Sequence, residues 1–140
     1  MKKDTGALLE ELGLSPDFKT YYEKNCEYYT DKDLSVVLNE LLRKKGVRKS
    51  EAIKSSELSA DYAYQIFSGR KKPERDKLLA LAVGMRLDPD EVQQLLKCAS
   101  YPTLYVKKTF DSIVFYGICK KMSVLEINEL LYQYGERTIG

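Results

Sequence analysis

From Arg48 to Pro73 the chain reads RKSEAIKSSELSADYAYQIFSGRKKP, and this stretch leaves few ways to fold. Two helical runs, about Lys49 to Ser55 and Ala60 to Phe67, are separated by only a few residues. Ser59 stands where a side-chain oxygen can cap the second run, whose first amides have no partner within the helix. Gly69 ends that run, and Pro73 is placed to open the next helix in its first turn. Ala63 and Ile66 are three apart and share an inner face, and Ile53 and Ala52 brace it from the first helix. Tyr62 and Gln65 fall toward the outer side.

The rest of the chain carries the same punctuation. Strand-type alternation is absent, and β-branched residues are sparse. A short helix is expected over about Thr5 to Leu12, ending at Gly13, followed by Ser15 as a cap with Pro16 at the first helical position. A polar, tyrosine-rich helix, YYEKNCEYY, follows. Leu34, Val37, Leu38, Leu41 and Leu42 form one apolar stripe, with Arg43, Lys44 and Lys45 at its negative pole and Gly46 as the stop. Leu78, Leu79, Leu81 and Ala82 are the buried residues of a helix stopped at Gly84. Asp88-Pro89-Asp90-Glu91 and Ser123 with Glu126 are two capping-box signals. The first starts a helix burying Val92, Leu95 and Leu96, which breaks at Ser100-Tyr101-Pro102. A final hairpin places Phe110, Ile113, Val114, Gly117 and Ile118 on one stripe and Ile127, Leu130, Leu131 and Tyr134 on the other, ending at Gly135. That hairpin is too small to stand alone and should pack on the helices before it. The chain thus divides into an N-terminal, partly helical arm (1–32), a central helical domain (33–99) and a C-terminal helical hairpin (100–140).

Charge is segregated along this order. Residues 1–42 hold five Lys/Arg against nine Asp/Glu, residues 43–77 eleven against five, and residues 78–140 seven against seven. The positive charge therefore coincides with the two-helix stretch, as a phosphate-binding surface requires. The 140 residues contain no histidine, which removes His-based triads and the commonest general base; no catalytic constellation is seen and no enzyme is expected. Cys26, Cys98 and Cys119 are odd in number and widely spaced, so three reduced thiols are expected, with no disulfide framework and no metal site. No apolar run is long enough to cross a membrane, and the N-terminal stretch is too short and acidic for an export signal; the expected location is cytoplasmic.

The segments LNELLRKKGV (38–47), SADYAYQIFSGRKKP (59–73) and LLALAVGMRLDPDEVQQLL (78–96) resemble the Cro and lambda-repressor type of helix-turn-helix domain, the Xre-like regulators. The wider chain, from YQIFSGRKKPERDKLLALAVGM to the ending INELLYQYGE, is similar to small uncharacterised Xre-like proteins of Gram-positive bacteria. The resemblance implies an all-α fold: a five-helix lambda-repressor-like domain over 33–99, flanked by the arm and the hairpin. It also implies a sequence-specific double-stranded DNA-binding transcriptional regulator, a repressor acting as a homodimer, with no cofactor.

By position, Lys49 at the start of the bracing helix lies near the DNA backbone or orients a recognition residue. Ala60, Asp61, Tyr62 and Gln65 occupy the DNA-facing positions. Ser68, Arg70, Lys71 and Lys72 fall in the loop that meets phosphates. Gln65 suits a bidentate contact to adenine, and Asp61 can accept from cytosine N4. Glu57 stands where the family's turn carries Gly with positive φ, and Ser56 where it carries an apolar residue. The alternative is a protein-interaction adaptor on the same fold, antitoxin-like or a kinase-pathway partner, with DNA binding weakened or lost. The eleven tyrosines favour a protein contact surface, and the hairpin residues Tyr101, Tyr105, Phe110, Phe115, Tyr116, Tyr132 and Tyr134 are its expected location.

Overall fold

The computed structural model describes residues 4–25 and 33–140, so Cys26 and the second half of the tyrosine-rich segment lie outside the described residues. Among the described residues the chain is all helical: α1 (Thr5–Leu14), α2 (Phe18–Asn25), α3 (Leu34–Lys45), α4 (Lys49–Ser56), α5 (Ala60–Phe67), α6 (Arg75–Gly84), α7 (Pro89–Cys98), α8 (Thr109–Cys119) and α9 (Val124–Gln133). By contacts it divides into two compact units, residues 1–31 and 32–140.

In the first unit, α1 is capped by Asp4, whose carboxylate accepts from the Ala7 amide at 2.7 Å. The helix continues through Gly13 to Leu14, because glycine costs an interior turn only about 1 kcal/mol and need not stop it. α2 is not capped by Ser15. Asp17 accepts from the Thr20 amide at 2.7 Å, and the Ser15 hydroxyl donates to the Asp17 carbonyl at 2.8 Å. Tyr21 is buried between the two helices and its hydroxyl reaches the Leu8 carbonyl. The Asn25 side chain donates to the Glu11 carboxylate and to the Tyr21 carbonyl.

The second unit is built around α6. Leu78, Leu79, Ala80, Leu81 and Ala82 are all solvent-inaccessible to within 1%. A helix that is apolar all round has no face for water and must be wrapped. α4, α7 and α9 wrap it. Each leucine so enclosed contributes roughly 1.5–3 kcal/mol relative to exposure. Leu38 and Leu42 of α3, Ala63 and Ile66 of α5, Val92, Leu95 and Leu96 of α7, and Ile127 and Leu131 of α9 complete one contiguous core.

The helix ends follow the local chemistry with two exceptions. Gly46 is left-handed at φ 67°, and both capping boxes form. Pro73, however, precedes α6 rather than opening it. Glu74 is the N-cap residue, and the Pro73 carbonyl is used elsewhere, accepting from the Tyr101 hydroxyl at 2.6 Å. Gly84 does not stop α6 but is its last residue, and the left-handed residue beyond it is Arg86.

The hairpin α8–α9 closes through Gly117, where any Cβ would collide with the Ile127 side chain. It is fixed to α6 by Arg75. That guanidinium makes two 3.0 Å hydrogen bonds to the two carboxylate oxygens of buried Asp111 and also donates to the carbonyls of Pro102 and Thr103. The Asp111 carboxylate accepts a third bond from the Tyr105 amide. Residues beyond α9 return to the core: Ile139 is buried, and its amide and carbonyl both pair with the Asn128 side chain.

Candidate nucleic-acid interface

α4 and α5 are joined by the three residues Glu57, Leu58 and Ser59. Glu57 and Ser56 make this turn. Glu57 adopts φ 64°, so the left-handed geometry forms without glycine. Ser56 is fully buried, and its hydroxyl donates to the Ile53 carbonyl at 2.6 Å and accepts from the Leu58 amide at 3.2 Å. A buried polar side chain is tolerated here at little cost, because its hydroxyl both donates and accepts. Ser59 then caps α5, its oxygen accepting from the Tyr62 amide at 3.3 Å.

Successive residues of a helix turn by about 100°. Ala60, Tyr64 and Ser68 therefore line one edge, with Asp61 and Gln65 beside them. All but Gln65 are exposed, and Gln65 is half-buried. The opposite face, Ala63, Ile66 and Phe67, is buried. Tyr64 stands at the centre of the open arc and is 48% exposed. Tyr62 lies on its flank. The sequence pattern placed Tyr62 and Gln65 toward the outer side and did not single out Tyr64; the helical phase set by Ala63 and Ile66 would have pointed to it. Asp61 sits in the first turn of α5, where a carboxylate is favoured by the helix dipole.

The far end of α5 is held in place by its neighbours. The Gln65 carbonyl accepts from the Arg70 amide at 2.9 Å, the Lys71 amide at 3.2 Å and the Ser68 hydroxyl at 3.1 Å. The basic loop is thereby wound back over the helix end. Gly69, at φ 83°, permits this turn, and a Cβ there would lie 3.1 Å from the Ser35 hydroxyl. The Asn39 amide of α3 donates to the Phe67 carbonyl at 3.0 Å, a contact no local pattern announced.

Four lysines around this surface rest on aromatic faces. Lys49 Nζ lies 5.2 Å from the centre of the Phe67 ring, which ties the start of α4 to the end of α5. Lys71 and Lys77 approach the Tyr62 ring at 5.7 and 5.8 Å, and Lys72 lies 4.8 Å from the Tyr101 ring. Such contacts restrict long side chains that would otherwise be disordered by their own rotamer entropy. Burial raises the Tyr62 phenol above its ordinary pKa, and the Glu74 carboxylate adds to this, so the ring stays neutral beneath its two ammonium groups. Lys77 and Tyr101 belong to this constellation through tertiary packing alone. Arg70, Lys71 and Lys72 are exposed, as are Ala60, Asp61 and Ser68; Tyr62 and Lys49 are partly covered.

Elsewhere in the second unit the aromatic residues of the hairpin divide. Phe110 is buried, Phe115 and Tyr101 are half-buried, and Tyr105, Tyr116, Tyr132 and Tyr134 are exposed. Cys98 is half-buried and Cys119 is exposed, and no disulfide joins them. Among the described residues no His, Cys, Asp or Glu cluster could hold a metal ion, and no helix is long and apolar enough to cross a membrane.

Comparison of the chain with family models, with curated proteins and with solved structures gives no significant match.

Proposed function

We propose that this protein is a sequence-specific double-stranded DNA-binding transcriptional regulator, a repressor that acts without catalysis. In this reading residues 33–99 form a lambda-repressor-like five-helix domain, α3 to α7. α5 enters the major groove and α4 braces it. The observation that carries the reading is the arc of α5 on which Ala60, Asp61, Tyr64 and Ser68 are exposed among the described residues, continuous with the basic loop at its C-terminal end.

The chemistry of the arc suits base edges. Gln65 can donate and accept toward adenine, Asp61 can accept from cytosine N4, and Tyr64 offers an aromatic edge with a polar tip. Arg70, Lys71 and Lys72, with Lys49 at the other side, supply the sequence-independent, salt-dependent share of affinity. A homodimer would place two copies of α5 on half-sites one helical turn apart or a multiple of it.

Selection from a random duplex pool, followed by electrophoretic shifts at several salt concentrations, tests this. Enrichment of a site with two related halves is the expected result. Gln65→Ala should then relax base preference, whereas Arg70→Ala should weaken all sequences alike and lower the salt slope by about 1. Equal loss on every sequence from Gln65→Ala would remove the base-reading role.

The second reading is a protein-interaction adaptor on the same fold. Asp61 and Tyr64 at the centre of the exposed arc favour it, since an acid beside an exposed tyrosine is as suited to a protein groove as to DNA. No shift of a random duplex at low salt, together with a co-purifying protein, would decide for the adaptor.

A further inference from the structure

A second cationic site lies apart from the arc of α5. The C-terminal ends of α3, α6 and α8 converge beside α4 around a cleft of about 320 Å³. Lys45, Arg86 and Lys121 line it, together with Ser55, Glu51 and the backbone at Gly84. Lys45 is already engaged, 2.9 Å from the buried Glu91 carboxylate. Arg86 and Lys121 have no ion pair among the described residues.

Those two residues share a second property. Both are left-handed, at φ 60° and 57°, a region that L side chains enter at a cost. Each closes its helix in the same way. The Arg86 amide donates to Val83 and the next amide to Ala82; the Lys121 amide donates to Ile118 and the next to Gly117. Glycine is the usual residue at this position, and a cation occupies it at both ends. Part of their charge answers the negative poles of the helices that end here. Both cations, neither of them ion-paired, line one half-open cleft with Ser55.

We propose that this cleft binds a small phosphate-bearing anion. Arg86 offers a planar fork of donors matched to phosphate oxygens, Lys121 a point charge, and Ser55 a hydroxyl donor. A half-open cleft of about 320 Å³ suits a small molecule, and Glu51 on the same wall favours a ligand that also carries a hydroxyl or protonated oxygen. The site is independent of the double-helix reading, and its test contains no DNA.

The experiment is an amide-resolved NMR titration of the full chain with inorganic pyrophosphate at constant ionic strength. It is repeated on the Arg86→Gly/Lys121→Gly double variant. Glycine accepts the left-handed backbone, so the variant retains its fold, which its own spectrum verifies. Saturating shifts at Ser55, Gly84, Arg86 and Lys121 are expected, with at least a tenfold loss of affinity in the folded variant. Shifts that remain linear in ligand, that fall only on residues 69–72, or that persist unchanged in the variant would overturn the proposal.

Discussion

Gly84 meets Ala52 backbone to backbone: a Cβ on Gly84 would collide with the Ala52 carbonyl oxygen and lie 2.8 Å from the Ser56 amide nitrogen. The central helix thus touches the bracing helix α4 with nothing between them. Gly84→Ala forces the two helices apart, although alanine is the better helix former by about 1 kcal/mol. The clash is with backbone, which cannot rotate away, so a net loss of about 3 kcal/mol is expected. Chemical denaturation measures it; a variant as stable as the parent would show that the contact is slack.

Arg75 and Asp111 join α6 to α8 across 36 residues of sequence. Burial pushes the Asp111 carboxyl up, but the Arg75 guanidinium, the Tyr105 amide and the charge of Lys108 together hold it below its ordinary value. The folded state therefore binds this proton less readily than the unfolded chain. The stabilisation is complete above the ordinary carboxylate value near 3.9 and is lost as pH falls below it through the folded value. Asp111→Asn should cost about 3 kcal/mol at pH 7, because it leaves Arg75 half-buried and unpaired. It should also flatten the decline of stability below pH 4. Melting curves across pH 2–7 check both statements, and an unchanged acid limb would count against the pair.

Glu57 holds φ 64° at an exposed site. Glycine there removes a left-handed strain of about 1–2 kcal/mol and adds unfolded-state entropy of about 0.4–1 kcal/mol. Glu57→Gly should therefore stabilise the protein by about 0.5–1 kcal/mol. Ser56→Ala in the same turn should destabilise it by about 1–2 kcal/mol, since the half-buried Leu58 amide loses its acceptor. Opposite signs for neighbouring substitutions, read from denaturant midpoints, make this a sensitive test of the turn geometry.

If α5 reads DNA, Tyr64→Ala should alter which sequences are preferred, because Tyr64 stands at the centre of the open arc. Tyr101→Phe acts differently. It removes the hydroxyl that holds the Pro73 carbonyl but leaves the ring beneath Lys72. Affinity for all sequences should fall by a few-fold with preference unchanged. Binding to a selected duplex and to random duplex, compared for each variant, separates the two effects.

Most helix ends were legible because their signals are local. Asp88 with Glu91, Ser123 with Glu126, Ser59 before Ala60, and Gly46 after Lys45 act through atoms within four residues of one another, and each forms as read. The apolar stripes of α3 and α9 likewise mark their own covered faces, except that Tyr134, expected on the second, lies past the end of α9 and is exposed. Pro73 and Gly84 were misread for one reason. Glycine and proline permit a boundary but do not require one, and here tertiary demands took them: the Pro73 carbonyl receives the Tyr101 hydroxyl, and Gly84 lets α4 approach.

Composition and pattern by themselves determined an all-helical chain with a cationic middle, since period and charge are properties of neighbouring residues. Tertiary structure alone decided which lysines rest on aromatic rings, that the Tyr101 hydroxyl holds the Pro73 carbonyl, and that Arg86 and Lys121 share a cleft. Those outcomes depend on segments tens of residues apart meeting in space, and close packing around α6 leaves them only one arrangement.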